Sequence, residues 1–228
     1  MLHSPLLQTL PGVVHGFGTR WDAMDQAYPD LWPRRPIQHE RHGTRIVQVG
    51  PADGDVGEAD GMFTTAPGRL LAIATADCAP ILLARRDGRA VAALHAGWRG
   101  ALEGIVLRFG ELLAARGDAV QDWVAAIGPT ASACCYTVDP ELISEFRTRY
   151  PWLAAEVSPG GRALNLPGIV AAQLEWIGIA STPAPACTMC HAGHGPAVDA
   201  PSFHSYRRDQ ATRTPQKDLQ WSVIAIAA

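Results

Sequence analysis

The stretch ALHAGWRG, residues 93–100, joins an apolar run to a segment with helical spacing. The run AVAALHAG (90–97) is almost continuous in small and aliphatic side chains, which is typical of a strand covered on both faces. After Gly97, apolar residues recur at helical spacing until Arg116 and Gly117 end the segment. The stretch therefore predicts a strand-to-helix corner, with His95 at the end of the strand.

Further apolar runs surround this corner. They predict strands in RIVQV (45–49), LLAIATADC (70–78), PILLARR (80–86), WVAAIGPT (123–130) and QWSVIAIAA (220–228). Asp139 and Pro140 predict the start of one helix, and Asn165 caps a predicted helix that runs to Ile177. Residues 21–36 have no period and are expected to form an irregular segment, with a mobile lid as the alternative. With no linker or repeat, residues 1–228 predict a single domain of α/β or α+β class.

The composition indicates a small ligand. A formal net charge of -3 gives no positive field that would favour nucleic acid, so a small neutral or anionic molecule is the expected partner. The first residues form neither a signal core nor a membrane span, and we expect a cytoplasmic protein that does not bind membranes. Five cysteines without an export signal are then expected to be free thiols or metal ligands.

Three clusters of chemically active residues stand at predicted strand ends, at 40–44, 75–80 and 95–100. They contain His42, Cys78 and His95, and two imidazoles with one thiolate are a reasonable zinc set that leaves a fourth position for water. Copper also accepts these ligands. A lone histidine at a strand end is more often a hydrogen-bonded core residue, so spacing alone leaves both interpretations open.

A second candidate metal site is more compact. Cys187, Cys190, His191 and His194 form a C-x-x-C-H-x-x-H string of the kind that holds structural zinc. The alternative is a loop with reduced cysteines and free histidines. The adjacent Cys134 and Cys135 follow a buried strand, and they are expected to pack as small hydrophobic side chains.

The segment SYRRD, residues 205–209, combines a hydroxyl, a phenol and two guanidinium groups. Arginine side chains suit a phosphate or carboxylate, and an aromatic ring can stack on a planar base. The alternative is a solvated turn with an arginine–aspartate pair.

Six motifs together resemble one family. HGFGTR (15–20), ERHGTRIV (40–47), TADCAPILLA (75–84), HAGWRG (95–100), IGPTASACCYTV (127–138) and FHSYRRD (203–209) occur in the order seen in the bacterial YfiH/YlmD proteins. These proteins have been described as multicopper polyphenol oxidases with a laccase domain and as purine nucleoside phosphorylases with adenosine deaminase activity. The resemblance implies a single-domain α/β fold with layered sheets and zinc on His42, Cys78 and His95. Gly97 would let the backbone turn toward the helix.

The resemblance also implies an activity. It points to phosphorolysis of adenosine, inosine, guanosine and methylthioadenosine to the base and ribose 1-phosphate, and to hydrolytic deamination of adenosine. As a hypothesis we assign proton transfer to Asp77, with Glu40, which stands where the family usually has glutamine, as a rival or as a partner of His42. The other candidates are Arg45, Arg99 and Arg208 for the anion and Ser205 and Tyr206 for the nucleoside.

Other functions stay open at this point. A copper enzyme that oxidises phenols is one rival, although only eight histidines are spread over the chain. The resemblance also allows a hydrolase that edits muramyl-peptide precursors of the cell wall. A metal-dependent binding module without turnover is the non-enzyme alternative. The oligomeric state is not determined by the sequence, and a monomer is the expectation.

Overall fold

The computed structural model describes residues 1–193, 200–214 and 218–228. The strands are β1 (Val13–Phe17), β2 (Ile37–His39), β3 (Ile46–Gln48), β4 (Asp55–Glu58), β5 (Gly61–Thr64), β6 (Leu70–Thr75), β7 (Ala79–Arg85), β8 (Val91–Ala96), β9 (Trp123–Ile127), β10 (Ala180–Thr182) and β11 (Gln220–Ile226). The helices are α1 (Pro5–Gln8), α2 (Met24–Ala27), α3 (Trp98–Glu103), α4 (Ile105–Arg116), α5 (Pro140–Arg149), α6 (Ala154–Val157) and α7 (Leu166–Trp176), with 3₁₀ turns at Trp32–Arg34, Val120–Asp122 and Pro151–Leu153.

Two main sheets carry the fold. One has six strands in the order β10-β9-β7-β8-β5-β3, with antiparallel pairing at its centre and a parallel pair at each edge. The other has three antiparallel strands in the order β1-β11-β6, and β2 and β4 form a separate parallel pair. The mixed α/β prediction is confirmed, and the final apolar run does lie inside a sheet.

The larger sheet is covered on both faces. Ile81 and Leu83 of β7 pack in the core that includes α4, α5 and α7, whereas Leu82 and Ala84 face the core shared with the smaller sheet. Side chains alternate between the faces of a strand, so a strand buried on both sides has no polar positions. This arrangement explains the continuous apolar runs of the sequence.

The smaller sheet has an outer face as well. Its residues, among them Leu70 and Val223, pack there against Met24, Tyr28 and Trp32. The aromatic segment 21–36, expected to be irregular, therefore folds into two short helical turns that cover this face.

Among the described residues no helix is both long and apolar enough to cross a membrane.

Several predicted boundaries change. The helix after Gly97 is two helices, because Gly104 adopts a left-handed conformation with φ of 88° between α3 and α4. Five short strands, β1, β2, β4, β5 and β10, were not predicted, and glycine interrupts three of them, β1, β4 and β5. Asn165 caps α7 by accepting a hydrogen bond from the Gly168 amide, whereas Asp139 precedes α5 without a side-chain cap.

His15 gives the fold a defined pH dependence. Its buried ring accepts a hydrogen bond at Nε2 from the Ser4 amide, and burial together with the nearby charge of His3 lowers the pKa of His15 to about 4. The folded state therefore favours the neutral ring. This stabilisation is complete above the unfolded pKa of about 6.5 and is lost as the pH falls toward about 4.

As the pH falls through this window, we expect His15 to lower the free energy of unfolding by up to about 3 kcal/mol. His15→Gln keeps an acceptor for Ser4 but does not titrate, so its unfolding free energy should depend less on pH in this window. Urea unfolding at a series of pH values measures the difference. His39→Gln, at an exposed histidine, is the matched control, and parallel curves for wild type and His15→Gln would disprove the assignment.

Candidate functional site

His42, Cys78 and His95 come together at one edge of the larger sheet. His42 lies between β2 and β3, Cys78 lies in the turn between β6 and β7, and His95 is in β8. The register of β7 and β8 pairs Pro80 with His95, which places Cys78 beside the histidine. The potential ligand atoms of the three residues all lie within 4.8 Å of one another. The fold thus brings the three residues together into one possible metal-binding group.

Asp60 organises two of the three side chains. Its buried carboxylate lies 2.8 Å from Nδ1 of His95 and accepts hydrogen bonds from the amides of Arg41, His42 and Gly43. The contact assigns the proton of His95 to Nδ1 and leaves Nε2 free as a ligand. The amide contacts hold His42 at φ of 63°, a left-handed conformation that is rare for a residue with a side chain.

The charges at the site favour a thiolate. Burial opposes ionisation of the Cys78 thiol, but the His95 cation and hydrogen bonds from His42 and His95 outweigh it and lower the pKa of Cys78 to about 7. Burial likewise disfavours the imidazolium of His95, yet Glu40, Cys78 and Asp60 raise the pKa of His95 well above its ordinary value. Positive charge is thus stabilised at this position, as a bound cation requires.

The donor set fits a metal ion. One thiolate and two imidazoles are ligands that zinc and copper both accept, and Asp60 supplies the carboxylate that commonly orients a metal-binding histidine. The fit supports the predicted site without selecting between the two metals.

Gly97 is required for a different reason than predicted. Its φ of -71° is available to any residue, so a tight turn does not explain the glycine. A Cβ atom at this position would lie 2.9 Å from both Sγ of Cys78 and Cδ2 of His42. The glycine therefore provides space beside the two ligands.

A cavity of about 530 Å³ opens beside the ligand group. Its walls include three arginine–aromatic pairs: Arg99 over Trp98, Arg207 over Tyr136 and Arg213 over Tyr206, with the guanidinium carbon 4.3, 5.1 and 4.6 Å from the ring centre. Each pair presents a cation and a planar apolar surface together. The arrangement suits a ligand with an anionic group and an aromatic ring.

The structure changes the set of candidate anion-binding residues. Arg99 lines the cavity as predicted, but Arg45 and Arg208 do not. Arg208 donates to the carbonyls of Thr188, Met189 and Phe203 and pairs with Asp209. Arg45 is exposed and donates to the Glu58 carbonyl. Arg207 and Arg213 take their place. Arg207 belongs to the SYRRD motif that the sequence singled out, whereas no signal in the sequence pointed to Arg213.

Asp77 holds the segment 205–208 in place. Its carboxylate accepts hydrogen bonds from the Thr188 hydroxyl at 2.6 Å, the Ser205 hydroxyl at 3.0 Å and the Arg207 amide at 2.7 Å. Ser205 is buried in this contact and is absent from the cavity lining, whereas Tyr206 lines the cavity. Asp77 also has a positive φ of 86°, so the turn before Cys78 is strained.

Glu40 is the other carboxylate in the cavity wall. Its Oε1 accepts hydrogen bonds from the Ala74 amide and the Gln38 side chain. Its Oε2 lies 3.8 Å from Nδ1 of His95. Glu40 is thus placed beside the metal-ligand group, with one oxygen held by the protein.

The second predicted metal set is corrected. Cys187 and Cys190 meet Cys134 and Cys135, and the His191 ring stacks on Phe203 instead of joining the thiols. His194 lies outside the described residues. Cys134 is exposed and Cys135 half-buried, so the expectation that they pack as core residues was wrong. Contacts between distant turns are not visible in local spacing.

Comparison with known proteins places these features in a family. The sequence profile of the family described as multi-copper polyphenol oxidoreductase laccase matches residues 31–221. A protein named purine nucleoside phosphorylase from Mycobacterium tuberculosis is 33% identical over 173 residues, which is 75% of this chain and 66% of that protein. The chain thus aligns with slightly less than two thirds of that relative.

Two crystal structures share the fold. YlmD from Geobacillus stearothermophilus has a TM-score of 0.80 and 26% identity, over 99% of this chain and 94% of that chain. The hypothetical protein YfiH from Bacillus licheniformis has a TM-score of 0.79 and 21% identity, over 94% of this chain and 92% of that chain. The layered arrangement of sheets is therefore shared over nearly the whole length.

Replacement of Asp60 tests how the ligands are oriented. Asp60→Asn leaves a side chain of the same shape but weakens the contact with His95 Nδ1, so zinc affinity should fall by roughly 10- to 100-fold. Competition with a chromogenic chelator measures the affinity. Asp53→Asn, at a carboxylate that accepts from the Gly50 amide, is the control. Equal zinc affinity in Asp60→Asn and wild type would show that Asp60 does not orient the ligands.

Proposed function

The chain belongs to the multi-copper polyphenol oxidoreductase laccase family, and within it we propose a zinc-dependent enzyme that acts on purine nucleosides. The proposed reactions are phosphorolysis of adenosine, inosine, guanosine and methylthioadenosine, and deamination of adenosine to inosine. One observation carries the proposal: the group His42, Cys78 and His95 forms part of a cavity whose walls also hold three arginine–aromatic pairs. The names of relatives as purine nucleoside phosphorylases support it.

The cavity has the size and surfaces that a nucleoside requires. A volume of about 530 Å³ lies within the usual range for small-molecule sites. Trp98, Tyr136 and Tyr206 offer planar faces on which a purine can stack. We propose that one of these rings holds the base while its arginine faces the phosphate.

The phosphate would bind to Arg99, Arg207 and Arg213. Arg213 lines the cavity, and its buried Nε has no hydrogen-bond partner among the described residues. Arg207 already donates to the Thr137 carbonyl at 2.6 Å, which fixes the direction of its side chain. In phosphorolysis a phosphate oxygen bonds to C1′ of the ribose as the bond from C1′ to the base breaks. The base leaves with the bonding electrons and takes up a proton.

Deamination needs a different proton path. Water adds at C6 of adenine, ammonia leaves, and a carboxylate beside the reacting carbon moves the proton between them. A bound zinc ion would supply Lewis acidity for this step. We propose Glu40 as the proton carrier, because Oε2 faces the ligand group. Asp77, the rival, accepts three hydrogen bonds from Thr188, Ser205 and Arg207, and these stabilise its charged form against taking up a proton.

Product analysis tests the proposed reactions. Wild-type protein loaded with zinc should convert adenosine to adenine and ribose 1-phosphate only with phosphate present, and to inosine with or without it. Cys78→Ser should lose the zinc ion of the group His42, Cys78 and His95 and both activities while it keeps its fold, as monitored by circular dichroism. Mass spectrometry of the products decides the question. Phenol oxidation by copper-loaded protein, or hydrolysis of a muramyl peptide, without nucleoside turnover would replace the proposal.

A pair of substitutions tests the proton carrier. Glu40→Gln retains the Oε1 acceptor for Ala74, so zinc content and melting temperature should stay unchanged while kcat for deamination falls about 10²-fold or more. Asp77→Asn should lower the melting temperature as well as the activity, because it disturbs three hydrogen bonds. Glu111→Gln, at an exposed helix position, is the control. Full deamination by Glu40→Gln would reassign the role to Asp77.

A further inference from the structure

Four of the five cysteines lie on two turns that face each other. Cys134 and Cys135 belong to a turn closed by hydrogen bonds from the amides of Cys135 and Tyr136 to the Ser132 carbonyl. Cys187 and Cys190 belong to a second turn, closed by the His191 amide and the Cys187 carbonyl. Two short turns that each present two thiols to a common point are a usual framework for a metal ion.

The distances between the sulfur atoms fit a shared ion. All four Sγ atoms lie within 4.8 Å of one another, and Sγ of Cys134 and Cys190 are 3.6 Å apart. Zinc with four thiolates at about 2.3 Å in tetrahedral geometry places the sulfurs about 3.8 Å apart. A disulfide bond needs about 2.05 Å. The spacing between Cys134 and Cys190 is close to the first value and far from the second.

We propose that Cys134, Cys135, Cys187 and Cys190 bind one zinc ion in a four-thiolate site that is separate from the group of His42, Cys78 and His95. Thiolate ligands select soft or borderline metals, and four of them leave no open position for a substrate. The site is therefore structural. On binding, the thiols release their protons and the ion neutralises part of the charge on the sulfurs.

Arg208 fixes the second turn from outside the cavity lining. Its guanidinium donates to the carbonyls of Thr188 and Met189, the two residues between Cys187 and Cys190, and pairs with Asp209. The two cysteines of this turn are therefore held in place on the side facing Cys134 and Cys135.

The proposed ion would connect two parts of the cavity wall. Tyr136, which lines the cavity, directly follows Cys135. Thr188, between the cysteines of the second turn, donates to the carboxylate of Asp77 at 2.6 Å. Zinc at the four thiols would link both turns and so position Tyr136 and Asp77 relative to each other. The site positions the cavity wall and takes no part in the reaction itself.

The zinc content of the purified protein tests the proposal directly. Protein expressed with zinc and purified in a phosphine reductant without chelator is analysed for zinc per chain by inductively coupled plasma mass spectrometry. The double variant Cys134→Ser/Cys190→Ser should hold one equivalent less than wild type and melt at a lower temperature. Cys78→Ser is the matched control and should keep this equivalent. The readout is independent of activity, so failure of the proposed nucleoside chemistry leaves it unaffected.

A second measurement avoids any variant in the proposed site. In Cys78→Ser the remaining thiols are the four proposed ligands, so titration with a mercurial reagent should release one zinc ion as the four thiols react. Release of zinc supports the proposal even where the double variant fails to fold. Absence of zinc from Cys78→Ser overturns it. If two of the thiols can be titrated only after reductant is added, they form a redox-active pair. This result would also overturn the proposal.

Discussion

The contact between Asp60 and His95 is the constraint on which the site depends. One buried carboxylate satisfies the Nδ1 proton of a strand histidine and three successive amides of the loop that carries His42. The Asp60 carbonyl also accepts a hydrogen bond from the His95 amide at 2.7 Å. Both the side chain and the backbone of Asp60 therefore contact His95. A group buried this deeply must keep its partners, since an unpaired carboxylate in such surroundings would be costly. The positions of both imidazoles follow from this requirement.

The layered fold supplies the rest of the geometry. Strands β7 and β8 are covered by helices on one face and by the smaller sheet on the other, so their backbone is held tightly where Cys78 and His95 are placed. The strained backbone at His42 and Asp77 is confined to the loops at this edge of the sheet. His95 is therefore held within a strand, whereas His42 and Cys78 lie in the loops next to the strands. The cavity wall opposite them comes from turns held by hydrogen bonds to Asp77.

The sequence predicted the strands that have long apolar runs. Positions at strand ends made His42, Cys78 and His95 candidates, and the family resemblance selected them as the ligand group. The sequence did not reveal Asp60, which stands between Ala59 and Gly61 outside the motifs and acts through a contact formed only on folding. Arg208 and Arg213 show the same limit. Both carry the same charge, but backbone carbonyls enclose one while the other lines the cavity. The pairing of Cys187 and Cys190 with Cys134 and Cys135 depends on two turns that are far apart in the chain. Such contacts cannot be inferred from the spacing of residues along the chain.

The central place of β11 in the smaller sheet has a consequence for how the protein reaches its native state. Val13 of β1 pairs with Ile226 of β11, which is nearly the longest separation the chain allows. Contacts this distant have a high loop-closure entropy and form slowly compared with local ones. Leu219, directly before β11, and Arg213, further upstream, line the cavity. The larger sheet and its helices can therefore assemble first, and the cavity becomes complete only when β11 has joined the smaller sheet.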